Sequence, residues 1–161
     1  RMKTWFLHPL RVRYQETDQM RVVYHANYLN WFEIGRTEWV RHAGIDYKSL
    51  EEAGLLLPLT HVEAEFVQPA RYDDWVTICT RVSEMNALRL TFQSRIVLGD
   101  LVSAGKCPAL VADEPPGTVL VRGSTRHVWV NKDFKPVRLD REAPEAYNKI
   151  RKLFNDGSES A

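Results

Sequence analysis

The strongest constraint on this chain is a run of helical periodicity with a glycine at its centre. In residues 27–43, Tyr28, Phe32, Gly35 and Trp39 recur at helical spacing, and Leu29, Val40 and Ala43 widen the same apolar face. Gly44 follows as a C-terminal stop, and Asn27 stands where an N-cap side chain is expected. An exposed glycine inside a helix costs roughly 1 kcal/mol relative to alanine. Gly35 is therefore expected where another backbone comes close.

The rest of the chain reads mainly as strands. Residues 10–16 alternate Leu10, Val12 and Tyr14 against Arg11, Arg13 and Gln15, the period of a strand with one buried face. Residues 1–9 show no clear period. Asp46 caps a short helix over 47–53, ended by Gly54. Residues 60–67 set Val62, Ala64 and Phe66 against His61, Glu63 and Glu65. A turn over 69–74 leads to a strand over 75–83, with Val76, Ile78 and Val82 on one face. The strand over 88–98 follows after a tight connection, so the two form an antiparallel hairpin.

Residues 99–117 mix apolar residues with glycine and proline. Connections of that length carry function or extend the surface, and a surface extension is expected here rather than a lid. Residues 118–130 form a last strand, with Gly123 expected to mark a bulge or kink. Ala146, Ile150, Leu153 and Phe154 place a helix over 144–154, and the polar residues 155–161 are expected to fray. With no repeat and no linker, residues 1–161 are expected to form one domain. One dominant early helix followed by adjacent antiparallel strands is the α+β pattern.

Composition narrows the function. A net charge of +1 makes no electrostatic case for nucleic acid. No apolar run approaches a membrane span and no signal-like run opens the sequence, so a cytoplasmic protein is expected. Cys79 and Cys107 lack metal or redox spacing and are expected as free thiols. His42, His61 and His127 share no ligand spacing, so no metal and no cofactor are expected.

The chemistry concentrates between Tyr14 and Arg36. Glu16-Thr17-Asp18 reads as the polar end of a strand, a loop covers 19–24, and His25-Ala26-Asn27 opens the long helix. A helix start offers unpaired N–H groups and a partial positive charge. A carbonyl oxygen held there is polarised, and a carboxylate opposite can attack it or activate water. Asp18 is the candidate carboxylate. Glu33 has an ordinary explanation as a helix-surface charge beside Arg36 or Thr37, and Glu63 and Glu65 as a solvated strand face.

These residues also carry a resemblance. Thr17-Asp18, Val22-Val23-Tyr24-His25-Ala26-Asn27-Tyr28, Trp31-Phe32-Glu33 and Arg36-Thr37-Glu38, with Pro69 to Asp74 and Gly123 to Val128 further on, resemble the 4-hydroxybenzoyl-CoA thioesterase family of hot-dog-fold proteins. The matches run in order over most of the chain. The resemblance implies a curved antiparallel sheet wrapped around the central helix, and acyl-CoA thioester hydrolysis. It implies Asp18 as nucleophile or general base, with the backbone N–H at His25 polarising the carbonyl and Tyr24 and Asn27 lining the pocket. It also implies sites formed between subunits of a homodimer or homotetramer. Arg71, Arg89, Arg95, Arg126, Lys132 and Arg138 are available for CoA phosphates.

Two positions depart from the family pattern. Arg21 and Asp73 stand where relatives carry glycine, and Arg21 is expected to take the glycine backbone only with strain. That departure favours the alternative reading, a non-catalytic acyl-CoA or acyl-carrier-protein binding module. A hot-dog dehydratase would show a different histidine signature, which is absent.

Overall fold

The computed structural model describes residues 4–103, 109–111 and 114–159. Its frame is one sheet of six strands: β1 Trp5–Arg11, β2 Leu59–Phe66, β3 Trp75–Met85, β4 Arg89–Leu98, β5 Leu110–Val111 and β6 Val119–Val128, ordered β2-β6-β4-β3-β1-β5. All neighbours are antiparallel. The helices are α1 Ala26–His42, α2 Tyr47–Glu52, α3 Leu139–Glu142 and α4 Pro144–Glu159. The curved sheet wraps α1, which is the hot-dog arrangement.

Gly35 lies close against the sheet as expected, but what it meets is side chains of β3 rather than a backbone. A Cβ there would lie 2.7 Å from Ile78 Cγ2 and collide with the Thr80 hydroxyl of β3, so only glycine lets α1 lie so close to the sheet. Gly123 was expected to bend β6, but it pairs in register with Ala64 and Ser94. The reason for glycine is again contact: a Cβ would meet the Phe32 ring at 2.5 Å and Glu63 O at 2.8 Å. The two glycines mark where helix and sheet touch.

The first strand begins earlier than its alternation suggested. β1 is Trp5–Arg11, and Tyr14–Glu16 forms a 3-10 turn, so Glu16-Thr17-Asp18 does not end a strand. Pairing explains the shift: Trp5 and Phe6 gain β5 as a second neighbour, and Phe6 to Arg11 pair with β3. Glu16 then closes the 3-10 turn by accepting from the Arg13 N–H at 2.9 Å.

The described part of the 99–117 segment lies against the far face of the sheet. Leu101, Val102 and Val111 pack on Trp5, Leu7, Cys79 and Val97, which form a small second core. The Arg81 and Arg95 guanidiniums lie 4.4 and 5.3 Å from the Trp5 ring. This agrees with a surface extension. Cys79 is buried there, its Sγ 3.8 Å from Thr77 O; Cys107 lies outside the described residues. α4 continues past Phe154 to Glu159, so the expected frayed tail is helical to that point.

Candidate active site

The candidate site is a small hairpin running into α1. Thr17 and Val23 bridge antiparallel, and between them the chain reverses through Asp18. Asp18 N–H donates to Val22 O at 3.0 Å, Arg21 N–H to Asp18 O at 2.9 Å, and Met20 N–H to Asp18 Oδ1 at 2.8 Å. The turn thus holds the Asp18 carboxylate by one oxygen and leaves Oδ2 clear of those bonds. Arg21 has φ 65, the left-handed backbone for which glycine is suited. Asp73, the second departure, has φ 69. Both take the conformation a glycine would, and the Asp18 turn keeps its hydrogen bonds.

The residue that ties the hairpin to the helix is Glu16, which sequence reasoning assigned only to a polar strand end. It is 5% exposed. Its Oε2 accepts from Trp31 Nε1 at 2.7 Å, and its carbonyl accepts from Tyr24 N–H at 2.9 Å and Asn27 Nδ2 at 2.8 Å. One residue therefore joins the 3-10 turn, the end of the loop and two turns of α1. A sequence signal existed: a buried indole N–H needs an acceptor, and Glu16 is a carboxylate close ahead of the helix that carries Trp31.

Asn27 was expected as the N-cap. The N-cap is His25 instead, with φ −55 and ψ −33 and no side-chain capping bond. Asn27 already lies within α1, and its amide is committed to Glu16. The His25 ring is exposed, 4.5 Å from the Tyr24 ring and 6.1 Å from Phe66. Asn27 N–H donates to Tyr24 O and Tyr28 N–H to His25 O. The amides of His25 and Ala26 precede those bonds, where a helix dipole presents its positive end.

Beside this stands Phe66 at the end of β2, in ring contact with Tyr28 at 5.8 Å. Tyr28 Oη accepts from Ala70 N–H at 3.0 Å, and burial raises its pKa. Asp18, Tyr24, His25 and Asn27 thus gather on one hairpin and helix start, although among the described residues no hydrogen bond links the Asp18 carboxylate to the His25 ring. The arginines do not converge as a set. Arg89 and Arg126 line one recess, Arg95 is paired with Glu114, and Arg138 with Asp140. Among the described residues no cluster of three or more His, Cys, Asp or Glu could hold a metal ion.

A curved antiparallel sheet wrapped around one long helix defines the hot-dog class of fold. The comparisons agree. Residues 12–145 match the model of the thioesterase-like superfamily, and the chain belongs to that family. It is 34% identical over 113 residues to the acyl-CoA thioester hydrolase YbgC of Escherichia coli, covering 70% of this chain and 84% of that one. It is 30% identical over 147 residues to YneP of Bacillus subtilis, covering 89% and 95%. The solved DHNA-CoA thioesterase of Staphylococcus aureus superposes with a TM-score of 0.77 at 31% identity, covering 95% of each chain. The chain therefore stands among thioester hydrolases.

Proposed function

We propose that the chain is an acyl-CoA thioesterase, hydrolysing an acyl-CoA to the free acid and CoA. The thioester carbonyl oxygen receives the α1 amides beginning at His25, and Asp18 either attacks the carbonyl carbon or deprotonates the attacking water. Tyr24 and Asn27 flank the acyl group. The observation that carries this reading is the Thr17–Val23 hairpin, which sets the Asp18 carboxylate and the start of α1 on one rigid unit anchored by Glu16. The intact turn at Arg21 favours hydrolysis over the binding-module reading, which rested on a reshaped loop.

The same reading makes the protein a homo-oligomer. β2 is an edge strand that exposes Leu59, Val62 and Phe66, with Leu29 and Tyr24 of the hairpin and helix also exposed. An apolar edge of this kind needs a cover, and a second copy meeting it would close the site. Pairs joining into tetramers, a single domain over residues 1–161 and a cytoplasmic location belong to the same proposal.

The test is a panel of acyl-CoAs with a thiol reagent, on the parent and on Asp18→Asn. The parent is expected to release CoA, and the variant to bind substrate with turnover at least about 100-fold lower. Binding without turnover by the parent would support the binding module. Equal turnover by both would move the chemistry to another residue.

A further inference from the structure

A second recess opens on the same side of α1, farther along the helix. It has a volume of about 440 Å³ and is floored by Val40, Leu57 and Phe92, with Arg36, Tyr47 and His127 supplying its polar atoms. Arg36 reaches inward to the sheet: its Nη1 lies 3.5 Å from the hydroxyl of Thr125, which is 2% exposed. That distance is at the long limit of a hydrogen bond. Among the described residues no carboxylate lies within ion-pair distance of Arg36. Glu33 and Glu51 stand exposed among the lining residues, where an ion pair contributes little. Burial pulls the Arg36 pKa down, with Glu33 and Tyr47 opposing, but a guanidinium stays charged.

A half-buried cation with one weak bond is short of acceptors unless something else supplies one. Tyr47 adds a second donor. Burial pushes its pKa up to about 12, so it remains a neutral hydroxyl. His127 is held neutral, its pKa pushed down to about 4 by burial and then by Arg36. Its ring nitrogens are engaged by Thr125 Oγ1 at 2.9 Å and Leu57 O at 3.3 Å. Phe134 also lines the recess, 64% exposed and at φ 57, an apolar ring held out by a strained turn.

The recess and the proposed site lie along the same helix. Leu29, Glu33, Arg36 and Val40 share one face of α1 at spacings of four, three and four residues. Arg36 is eleven residues beyond His25, about 16 Å along the axis at ~1.5 Å per residue, and a long side chain leans back toward the helix start. We infer that the acyl group runs along this face and that the enzyme prefers acyl-CoAs whose far end carries a carboxylate, received by the Arg36 guanidinium and the Tyr47 hydroxyl. The inference rests on the thioesterase reading. The apolar floor takes the methylene stem, and Arg36 takes the anion through paired N–H donors.

The test sets suberoyl-CoA and dodecanedioyl-CoA against octanoyl-CoA and dodecanoyl-CoA, which match them in carbon count without the terminal charge. The parent is expected to favour the carboxylated chains by about tenfold or more in kcat/KM. Arg36→Met is expected to bring that ratio near one while leaving the uncharged chains within about twofold. Tyr47→Phe is expected to lower the ratio in part, and it keeps the ring should Arg36→Met misfold. Equal or better turnover of the uncharged chains by the parent overturns this inference and leaves the hydrolase reading standing. An Arg36→Met variant that loses both substrate types alike, or changes its oligomeric mass, also overturns it. Turnover of none of the four overturns it too, and the broader panel with Asp18→Asn then decides the hydrolase reading separately.

Discussion

Glu16 accepts a hydrogen bond from Trp31 at 2.7 Å, and both residues are buried. The pair fastens the approach to the candidate site onto the second turn of α1. A carboxylate acceptor makes this a charge-assisted bond, shorter and stronger than a neutral one. The relationship explains how the exposed Asp18 turn can be held in place by a group that never reaches the surface.

Glu16→Ala is expected to destabilise the protein by about 2–3 kcal/mol, because the Trp31 N–H and the Arg13 N–H lose their side-chain acceptor while the loop keeps the backbone carbonyl. Trp31→Phe, which removes the donor, is expected to cost less in polar terms but to leave a gap in packing. Urea denaturation of both variants checks this. A loss within about 0.5 kcal/mol for Glu16→Ala would mean that the bond holds nothing.

Gly35→Ala is ordinarily a stabilising change in a helix, by about 1 kcal/mol. Here the sign reverses. The added methyl would sit 2.7 Å from Ile78 Cγ2, and overpacking of that kind costs about 1–3 kcal/mol. A lowered midpoint of thermal unfolding is the expected reading, and a raised one would contradict the close approach.

At position 21 the backbone, not the side chain, decides stability. Arg21 at φ 65 carries a left-handed penalty of about 1 kcal/mol. Arg21→Gly is expected to raise stability by up to about 1 kcal/mol, less the added freedom of the unfolded chain. Arg21→Val is expected to lower it by more than 1 kcal/mol, roughly, since a β-branched residue tolerates that φ worst. Stability following the order Val, Arg, Gly is the result to look for in denaturant midpoints.

His127 predicts an acid-side loss of stability. Its folded pKa, about 4, lies below its ordinary 6.5, so between those values the unfolded chain binds the extra proton. Stability therefore rises with pH through that window, is fully present above about 6.5, and is lost as pH falls toward 4. The whole shift corresponds to about 3 kcal/mol at most. Stability of the parent and of His127→Gln, measured between pH 4 and 7, should converge at the acid end as the variant loses this slope.

Val62→Asp places a charge on the exposed apolar edge of β2, where Val62 is 45% exposed in the single chain. The fold should survive, because Val62 stands on an edge strand outside the buried core clusters. The expected outcome is a smaller species by light scattering, with thioesterase turnover reduced at least about tenfold, in line with a site closed by a second copy. An unchanged mass would remove β2 from the assembly surface.

The sequence by itself determined the elements whose signal is local. The α1 periodicity, the Asp46 cap, the 75–98 hairpin and the need for close contact at Gly35 all depend on neighbours a few residues away, and each appears in the structure. The order of residues 17–28 also suggested the candidate site, which stands as the proposal above. Tertiary structure decided what depends on distant partners. β1 starts at Trp5 because β3 and β5 supply its pairs, and Gly123 is small because Phe32 lies against it. Glu16 is buried because Trp31, fifteen residues on, offers it a donor. Arg36 and His127 meet only because the sheet returns β6 beneath α1. A periodicity records which way a side chain points, whereas what it meets there is set by the path of the rest of the chain.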